Sequence, residues 1–341
     1  MLDERKKKIF FSIVESYIVT GEPVGSKSLA ELFSNSVSSA TIRNEMAYLT
    51  EYGLIVQPHT SAGRIPTSRG IRYYIDNLMK TKELSEREKR ELDELFSDPD
   101  PDPERFLVKA GDRLADKLGC AVVGRTVPSE ERRVSRIELI SPSEGMFVVV
   151  LITTEREAKS KVCFLDYPVS CEEVRQFTEA VNNELSMTAL NNISVSLIQS
   201  VAARLGAIGL IFSPLLFTVY ELCKGIYEEK LFIEGEANLL SGGAVGKKEL
   251  HKIKELAKNG ELSRMIPDEG DKTEIILGNE MLYDDLSLLS MILTHYNIGS
   301  AEGAVGLIGP VRLDYAKLIP CLEYFAKTFS EYYNDKNKGE Y

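Results

Sequence analysis

Apolar residues over the first eighty positions recur at helical spacing. Ile9, Phe10, Ile13, Val14, Tyr17 and Ile18 share one face of a helix that the segment Thr20 to Pro23 stops with a glycine and then a proline. Ser26 is placed to cap a short second helix burying Leu29, Leu32 and Phe33, and Ser34 to Ser36 make a polar turn. Ser38 or Ser39 caps a third helix that buries Ile42, Met46 and Leu49 and stops at Gly53, where glycine suits a left-handed terminal position. Leu54 to Thr67 reads as two short extended segments joined by a small-residue turn, a wing hairpin. Thr67 caps a further helix through Tyr73, Tyr74, Ile75 and Leu78, with both tyrosines expected in the core.

Farther along, the pattern changes twice. Residues 81–103 have linker composition, charged and poor in large apolar side chains, then proline-rich from Asp98 to Pro103. Phe106 to Leu118 is helical, followed by strand-like Ala121 to Gly124, Arg136 to Ile140, Met146 to Thr153 and Lys161 to Leu165, with a hairpin turn over Ser141 to Gly145. Helical periodicity returns over 171–229, carried by Val174, Phe177, Val181, Leu185, Ile198, Val201 and Leu205. Strands reappear near Glu274 to Leu277 and Ala304 to Ile308, and a final helix runs from Tyr315 to about Tyr333. A helical block between two β-rich blocks points to an insertion into an α+β domain.

Charge divides the chain in the same way. The formal net charge is −11, yet residues 1–80 hold ten Lys+Arg against eight Asp+Glu, so the acidity belongs to the remainder. A modestly basic module on an acidic body is compatible with nucleic-acid binding without establishing it. No apolar run is long enough to cross a bilayer, and Ser12, Glu15 and Ser16 interrupt the only candidate signal segment, so a soluble cytoplasmic protein is expected. Cys120, Cys163, Cys171, Cys223 and Cys321 are scattered, with no CxxC pair, and each reads as a small buried apolar residue.

Three helices with a sharp turn before the third, then a hairpin, is the order that places one helix in the DNA major groove. With Ile42, Met46 and Leu49 inward, the helical period turns Ala40, Arg43, Asn44 and Ala47 outward, with Ser39 and Thr41 at the helix start. The base-reading set is therefore Ser39, Ala40, Thr41, Arg43 and Asn44: arginine donates twice to guanine, asparagine pairs with adenine, and Ala or Thr touches a thymine methyl. A second set suits phosphates: Ser26 and Lys27 opening the second helix, then His59, Thr60, Ser61, Arg64, Ser68, Arg69 and Arg72 on the wing and the helix after it. His59 has no catalytic role in this reading. The adjacent acids Glu172 and Glu173, and Asp284 and Asp285, lack a convergent partner. Gly303, Gly306 and Gly309 precede no Lys-Ser/Thr pair and read as close packing in a strand. No enzyme activity, cofactor or metal is expected.

The segments Gly21 to Leu29, Ser39 to Met46, Pro58 to Thr67, Leu231 to Leu240 and Gly306 to Tyr315 resemble the bacterial heat-inducible transcription repressor family HrcA over essentially the whole chain. Val311 and Leu313 stand where that family usually has Thr and Met. The resemblance implies a repressor of chaperone operons that binds the CIRCE inverted-repeat operator on double-stranded DNA as a homodimer, assisted by the GroE chaperonin. It also implies a GAF-like α+β domain with an inserted, mostly helical dimerisation region. The expected division is a winged helix-turn-helix at 1–80, a linker at 81–103, the GAF-like domain at 104–170 and 230–341, and the insertion at 171–229. A small-molecule-responsive regulator using a pocket of the GAF-like domain is the alternative. Docking of the chaperonin on 171–229 ranks below self-association of an amphipathic helical face.

Overall fold

A computed structural model describes residues 2–338 apart from 35, 61, 128, 156, 242, 244, 268, 269, 271 and 300, with the backbone alone for 336–338. Helices α1 (Glu4–Thr20), α2 (Ser26–Leu32) and α3 (Ser39–Glu51) lead into strands β1 (Ile55–Val56) and β2 (Ile65–Pro66) and then α4 (Ser68–Asn77). Each start that polar side chains fix is visible. Asp3 accepts from the Lys6 N–H at 2.9 Å, Ser38 from the Thr41 N–H at 3.1 Å, and Thr67 from the Gly70 N–H at 3.0 Å. Phe10, Ile13, Val14, Leu29, Ile42, Leu49, Leu54, Ile71 and Tyr74 form the core beneath them.

Two details differ from the pattern read in sequence. Gly25, not Ser26, occupies the N-cap of α2, with no side-chain cap, and Leu32 is 63% exposed. A helix this short turns only one narrow strip inward, and Leu29 and Ala30 fill it. The ribbon pairs Ile55 with Pro66 and Val56 with Ile65. A further rung ties it to the α1–α2 loop, where Val24 and Arg64 exchange backbone hydrogen bonds of 2.9 and 2.8 Å.

Residues 81–103 are structured rather than a free linker. Helix α5 (Glu86–Asp93) opens with a capping box, Ser85 accepting from the Glu88 N–H and the Glu88 carboxylate from the Ser85 N–H. Leu92 and Leu95 are buried, and the Phe96 ring lies 5.1 and 5.5 Å from Phe106 and Phe325. Tyr324 donates to Asp93 at 2.9 Å and Tyr333 to the Asp100 carbonyl at 2.6 Å. The few apolar residues of this stretch suffice because their partners lie at the far end of the chain.

The remaining elements in order are α6 (Pro103–Leu118), β3 (Ala121–Val127), β4 (Val134–Ser143), β5 (Met146–Thr153), β6 (Ala158–Phe164), α7 (Cys171–Leu185), α8 (Val195–Arg204), α9 (Gly206–Ile211), α10 (Ser213–Tyr227), β7 (Lys230–Glu234), α11 (Ala237–Ser241), α12 (Lys247–Lys258), α13 (Glu261–Arg264), β8 (Glu274–Leu277), β9 (Leu289–Ile298), β10 (Ala301–Pro310) and α14 (Tyr315–Lys338). They fall into two compact units: residues 1–125, 231–298 and from 303 onward, and residues 126–230 with 299–302.

The first unit contains a five-stranded sheet in the order β7-β3-β10-β9-β8. Alternate residues divide between its faces. Val122, Ile292, Tyr296, Val305 and Leu307 join the core that holds Phe106 of α6 and Phe325 and Phe329 of α14. Val123, Met291, Leu293, Ala304 and Ile308 pack instead with Ile253 and Leu256 of α12 and Leu262 of α13. Packing on both sides buries β9 without a break from Leu289 to Thr294, Ser290 and Thr294 included. The glycines of β10 are packing positions: a Cβ at Gly303, Gly306 or Gly309 would fall 2.3–2.7 Å from Tyr296, Leu293 or Leu313.

The second unit holds the three-stranded antiparallel sheet β4-β5-β6 together with α7 to α10. The expected boundary at 171 is thereby corrected, because strands 134–164 share a core with the helical block. Phe147, Val149 and Leu151 supply a complete apolar strip that α7 and α10 cover through Phe177, Val181, Leu216 and Val219. Phe177 and Phe212 stack at 4.5 Å. Cys120, Cys223 and Cys321 are buried, and burial pushes the Cys120 and Cys223 thiols up to about 12. Cys171, expected to be buried, is exposed at the start of α7.

Candidate nucleic-acid interface

The two sides of α3 differ as its residue pattern requires. Ile42, Met46 and Leu49 are buried, while Ala40, Arg43, Asn44 and Ala47 are exposed and Ser39 and Thr41 are half-buried. Thr41 is tied to the helix start, its hydroxyl 2.9 Å from that of Ser38. Glu45 lies on the inner side, 7% exposed, and accepts from Arg5 at 2.7 Å and from Lys6 at 3.4 Å. Two cations at the start of α1 are therefore engaged in holding α3, and its outer face carries Arg43 without a neighbouring carboxylate among the described residues.

The wing is braced from inside. Gln57 donates to the carbonyls of Thr60 and Ala62 at 2.9 and 3.0 Å, which fixes the turn. Arg64 donates to the Thr50 hydroxyl at 3.3 Å, and that hydroxyl donates to the Met46 carbonyl at 2.8 Å, so the ribbon is joined to α3. Gly63 permits the close approach of strand and loop: a Cβ there would fall 2.4 Å from the Val24 carbonyl oxygen. His59 and Thr60 are exposed at the tip, and Ser61 lies outside the described residues. Gln57 carries no motif, and its role depends on a turn geometry that periodicity does not reveal.

The residues expected to hold phosphate separate into two groups. Lys27 and Arg69 are exposed, and neither has an ion pair among the described residues. Ser26 and Ser68 are half-buried at the first positions of α2 and α4. Arg64 is half-buried with its Nε engaged by Thr50. Arg72 departs from the expectation. Its Nε donates to Glu280 at 2.8 Å and its terminal nitrogen to the Ile275 carbonyl at 2.6 Å, with a second contact to the same carboxylate. A guanidinium so engaged is a structural tie rather than an available phosphate donor.

Other candidate chemistry resolves into ordinary structure. Arg175 and Gln176 hold the Glu172 carboxyl down at about 2, and Glu173 completes a capping box with Ser170. Asp285 pairs with Lys248 at 2.6 Å. Two concavities of the first unit measure 250 and 420 Å³. The smaller is lined by Leu231, Phe232, Ile233, Glu236, Lys254 and Ala257. The larger is lined by Lys272, Thr273, Thr294, Ile319 and Glu323, where Thr273 and Glu323 satisfy each other at 2.5 Å.

Residues 104–319 match the family described as HrcA protein C terminal domain. The chain belongs to the HrcA family. A protein of Acetivibrio thermocellus named heat-inducible transcription repressor HrcA is 32% identical, over 97% of this chain and 96% of its own length. The Lactobacillus acidophilus protein of the same name is 31% identical, over 98% and 99%. A crystal structure described as that of a hypothetical protein agrees with a TM-score of 0.71 at 25% identity, covering 98% of this chain and 99% of that one. The relatives span the N-terminal module as well as the HrcA C-terminal domain, so the α3 face and its wing belong to the shared chain.

Proposed function

We propose that the chain is a heat-shock repressor of transcription whose residues 1–80 act as a winged helix-turn-helix on an inverted-repeat operator, the CIRCE element. The observation that carries this reading is the outer face of α3, where Arg43 and Asn44 stand exposed between the small residues Ala40 and Ala47. Small neighbours allow a base edge to approach, Arg43 donating twice to guanine and Asn44 donating to adenine N7 while accepting from its N6 amino group. Lys27, His59, Thr60 and Arg69 border that face and contact phosphates. The reading contains no catalytic step. Footprinting on an inverted repeat tests it; equal affinity for a scrambled duplex of the same length defeats it.

An inverted repeat calls for a two-fold protein, and the second unit supplies a surface for a homodimer. Its helices pack most of their apolar residues onto their own sheet, leaving Val195, Leu210 and Phe217 exposed, and a further exposed apolar strip lies on the sheet's other side. There Ile140 and Val162 flank Val148 across the strands, with Phe164 opposite Met146. Ile140, Val162 and Phe164 are 54, 45 and 66% exposed. Such a strip favours self-association in water. We assign the five-stranded unit as the GAF-like body, the cytoplasm as the site of action, and the GroE chaperonin as the factor that assists this repressor, as the family resemblance implies. No helix of the described residues is long and apolar enough to cross a membrane.

A further inference from the structure

The flank of α3 turned away from the wing carries two tyrosines that neither the base-reading set nor the phosphate set includes, and they gather Arg69 of the phosphate set to that side. Tyr48 and Tyr52 stack in near-parallel planes, 11° apart with centroids at 6.1 Å. The Lys6 ammonium lies 4.9 Å from the Tyr48 centroid, and the Arg69 guanidinium lies 5.4 Å from the Tyr52 centroid. Cation, ring, ring and cation thus form a ledge along the C-terminal half of the helix. Both rings remain about two-fifths exposed, at 40 and 39%.

The helical period fixes where this ledge lies. At about 100° per residue, Tyr48 and Tyr52 are displaced to one side of Ala40, Asn44 and Ala47, and Thr50, which anchors the wing through Arg64, is displaced to the other. A helix in the major groove has a phosphate strand along each flank. We propose that Tyr48, Tyr52 and Arg69 form a second phosphate clamp, gripping the DNA strand that the wing does not meet.

Three features suit the ledge to that partner. The cation–π contact with Tyr52 uses none of the Arg69 N–H groups as an ion pair would, which leaves them for an anion. Gly53, with φ +77°, brings the chain past Arg69 so that a Cβ there would lie 3.5 Å from Nη1; the cation is therefore packed at the C-terminal end of α3, whose last turn has no basic residue. Lys6 already bridges Asp3 at 2.5 Å and Glu45 at 3.4 Å, so it steadies the Tyr48 ring while the tyrosine hydroxyls and Arg69 make the contacts. The clamp holds register and reads no sequence.

This inference rests on the DNA-binding reading, and the test separates the two. The full-length protein first selects an inverted repeat from a randomised duplex pool, and phosphate ethylation interference is then mapped on the selected fragment. Two clusters of sensitive phosphates are expected per half-site, one on each strand. Arg69→Ala erases one cluster, keeps the other, and lowers the slope of log affinity against log salt by about 1. The double variant Tyr48→Phe with Tyr52→Phe keeps the stack, removes only the hydroxyls and lowers affinity about tenfold at an unchanged sequence preference. Specific binding in which both variants leave both clusters and the affinity intact overturns the clamp alone. Failure of the wild-type protein to select any sequence overturns the underlying reading together with the clamp.

Discussion

Arg72 of α4 and Glu280, 208 residues apart, are joined through two guanidinium nitrogens, and the same guanidinium donates to the Ile275 carbonyl. The sequence places Arg72 one helical turn after Arg69 and makes the two look equivalent. In the fold they are opposites, one exposed beside an aromatic ring and the other fastened to the body.

Arg72→Ala and Glu280→Gln are each expected to lower stability, with a coupling of about 1 kcal/mol in a double-mutant cycle, the magnitude of a well-oriented, partly exposed pair. Denaturant unfolding of the two single variants and the double variant measures it. Arg72→Ala should leave the salt dependence of DNA affinity unchanged. A slope reduced as much as by Arg69→Ala returns Arg72 to the phosphate contacts.

Acid weakens the same tie. Burial opposes ionisation of Glu280, but the Arg72 hydrogen bonds and the Leu277 N–H outweigh it and hold the carboxyl below the ordinary glutamate value. A carboxyl held low in the fold contributes stability above its unfolded value, about 4.3, and that contribution disappears as the pH falls through the folded value. The stability difference between wild type and Glu280→Gln is therefore constant near neutrality and closes in acid below about pH 4. Unfolding curves measured from pH 7 downward reveal the convergence, and a gap that widens in acid contradicts it.

Arg43→Ala and Asn44→Ala are expected to cost about 1–3 kcal/mol each at one base pair, relaxing the preference there and nowhere else. Competition binding with operators changed one pair at a time shows this. A uniform loss across all positions shows instead that these residues touch only the backbone.

Gly63→Ala places a methyl 2.4 Å from the Val24 carbonyl oxygen, where backbone rather than a pliable side chain must give way. The expected cost is about 1–3 kcal/mol, the range for overpacking. Amide exchange at Val24 and Arg64, whose rung crosses this contact, should accelerate in the variant.

Phe164→Glu or Val162→Glu introduces a carboxylate on the outer strip of the three-stranded sheet without touching its core side. Sedimentation should report a monomer for either variant and a dimer for the wild-type chain. A dimer that survives both substitutions assigns the interface to another surface.

Structure with one wet side is legible in its alternation, while β3 and β10, buried on both faces, are legible only as short apolar runs. α3 and β5 alternate buried and exposed residues at their own periods, and both were readable to within a few residues. β9 was not, because burial on both faces leaves no alternation to detect. Residues 81–103 read as a linker because Leu92, Leu95 and Phe96 are few, and the aromatic partners of Phe96, Phe325 and Tyr332, lie more than two hundred positions onward. The exposed face of α3 follows from local period alone. The fate of Arg72 depends on Glu280, and the role of Gln57 on the path of its own turn; neither leaves a local mark.

Residues 81–103 join the N-terminal module to the body by packing as well as by the chain. Leu92 and Leu95 belong to the same buried cluster as Leu29 and Ile42 on one side and Phe106 and Phe329 on the other. Module and body are expected to melt in a single calorimetric transition of that unit, and two peaks would show that the module unfolds on its own.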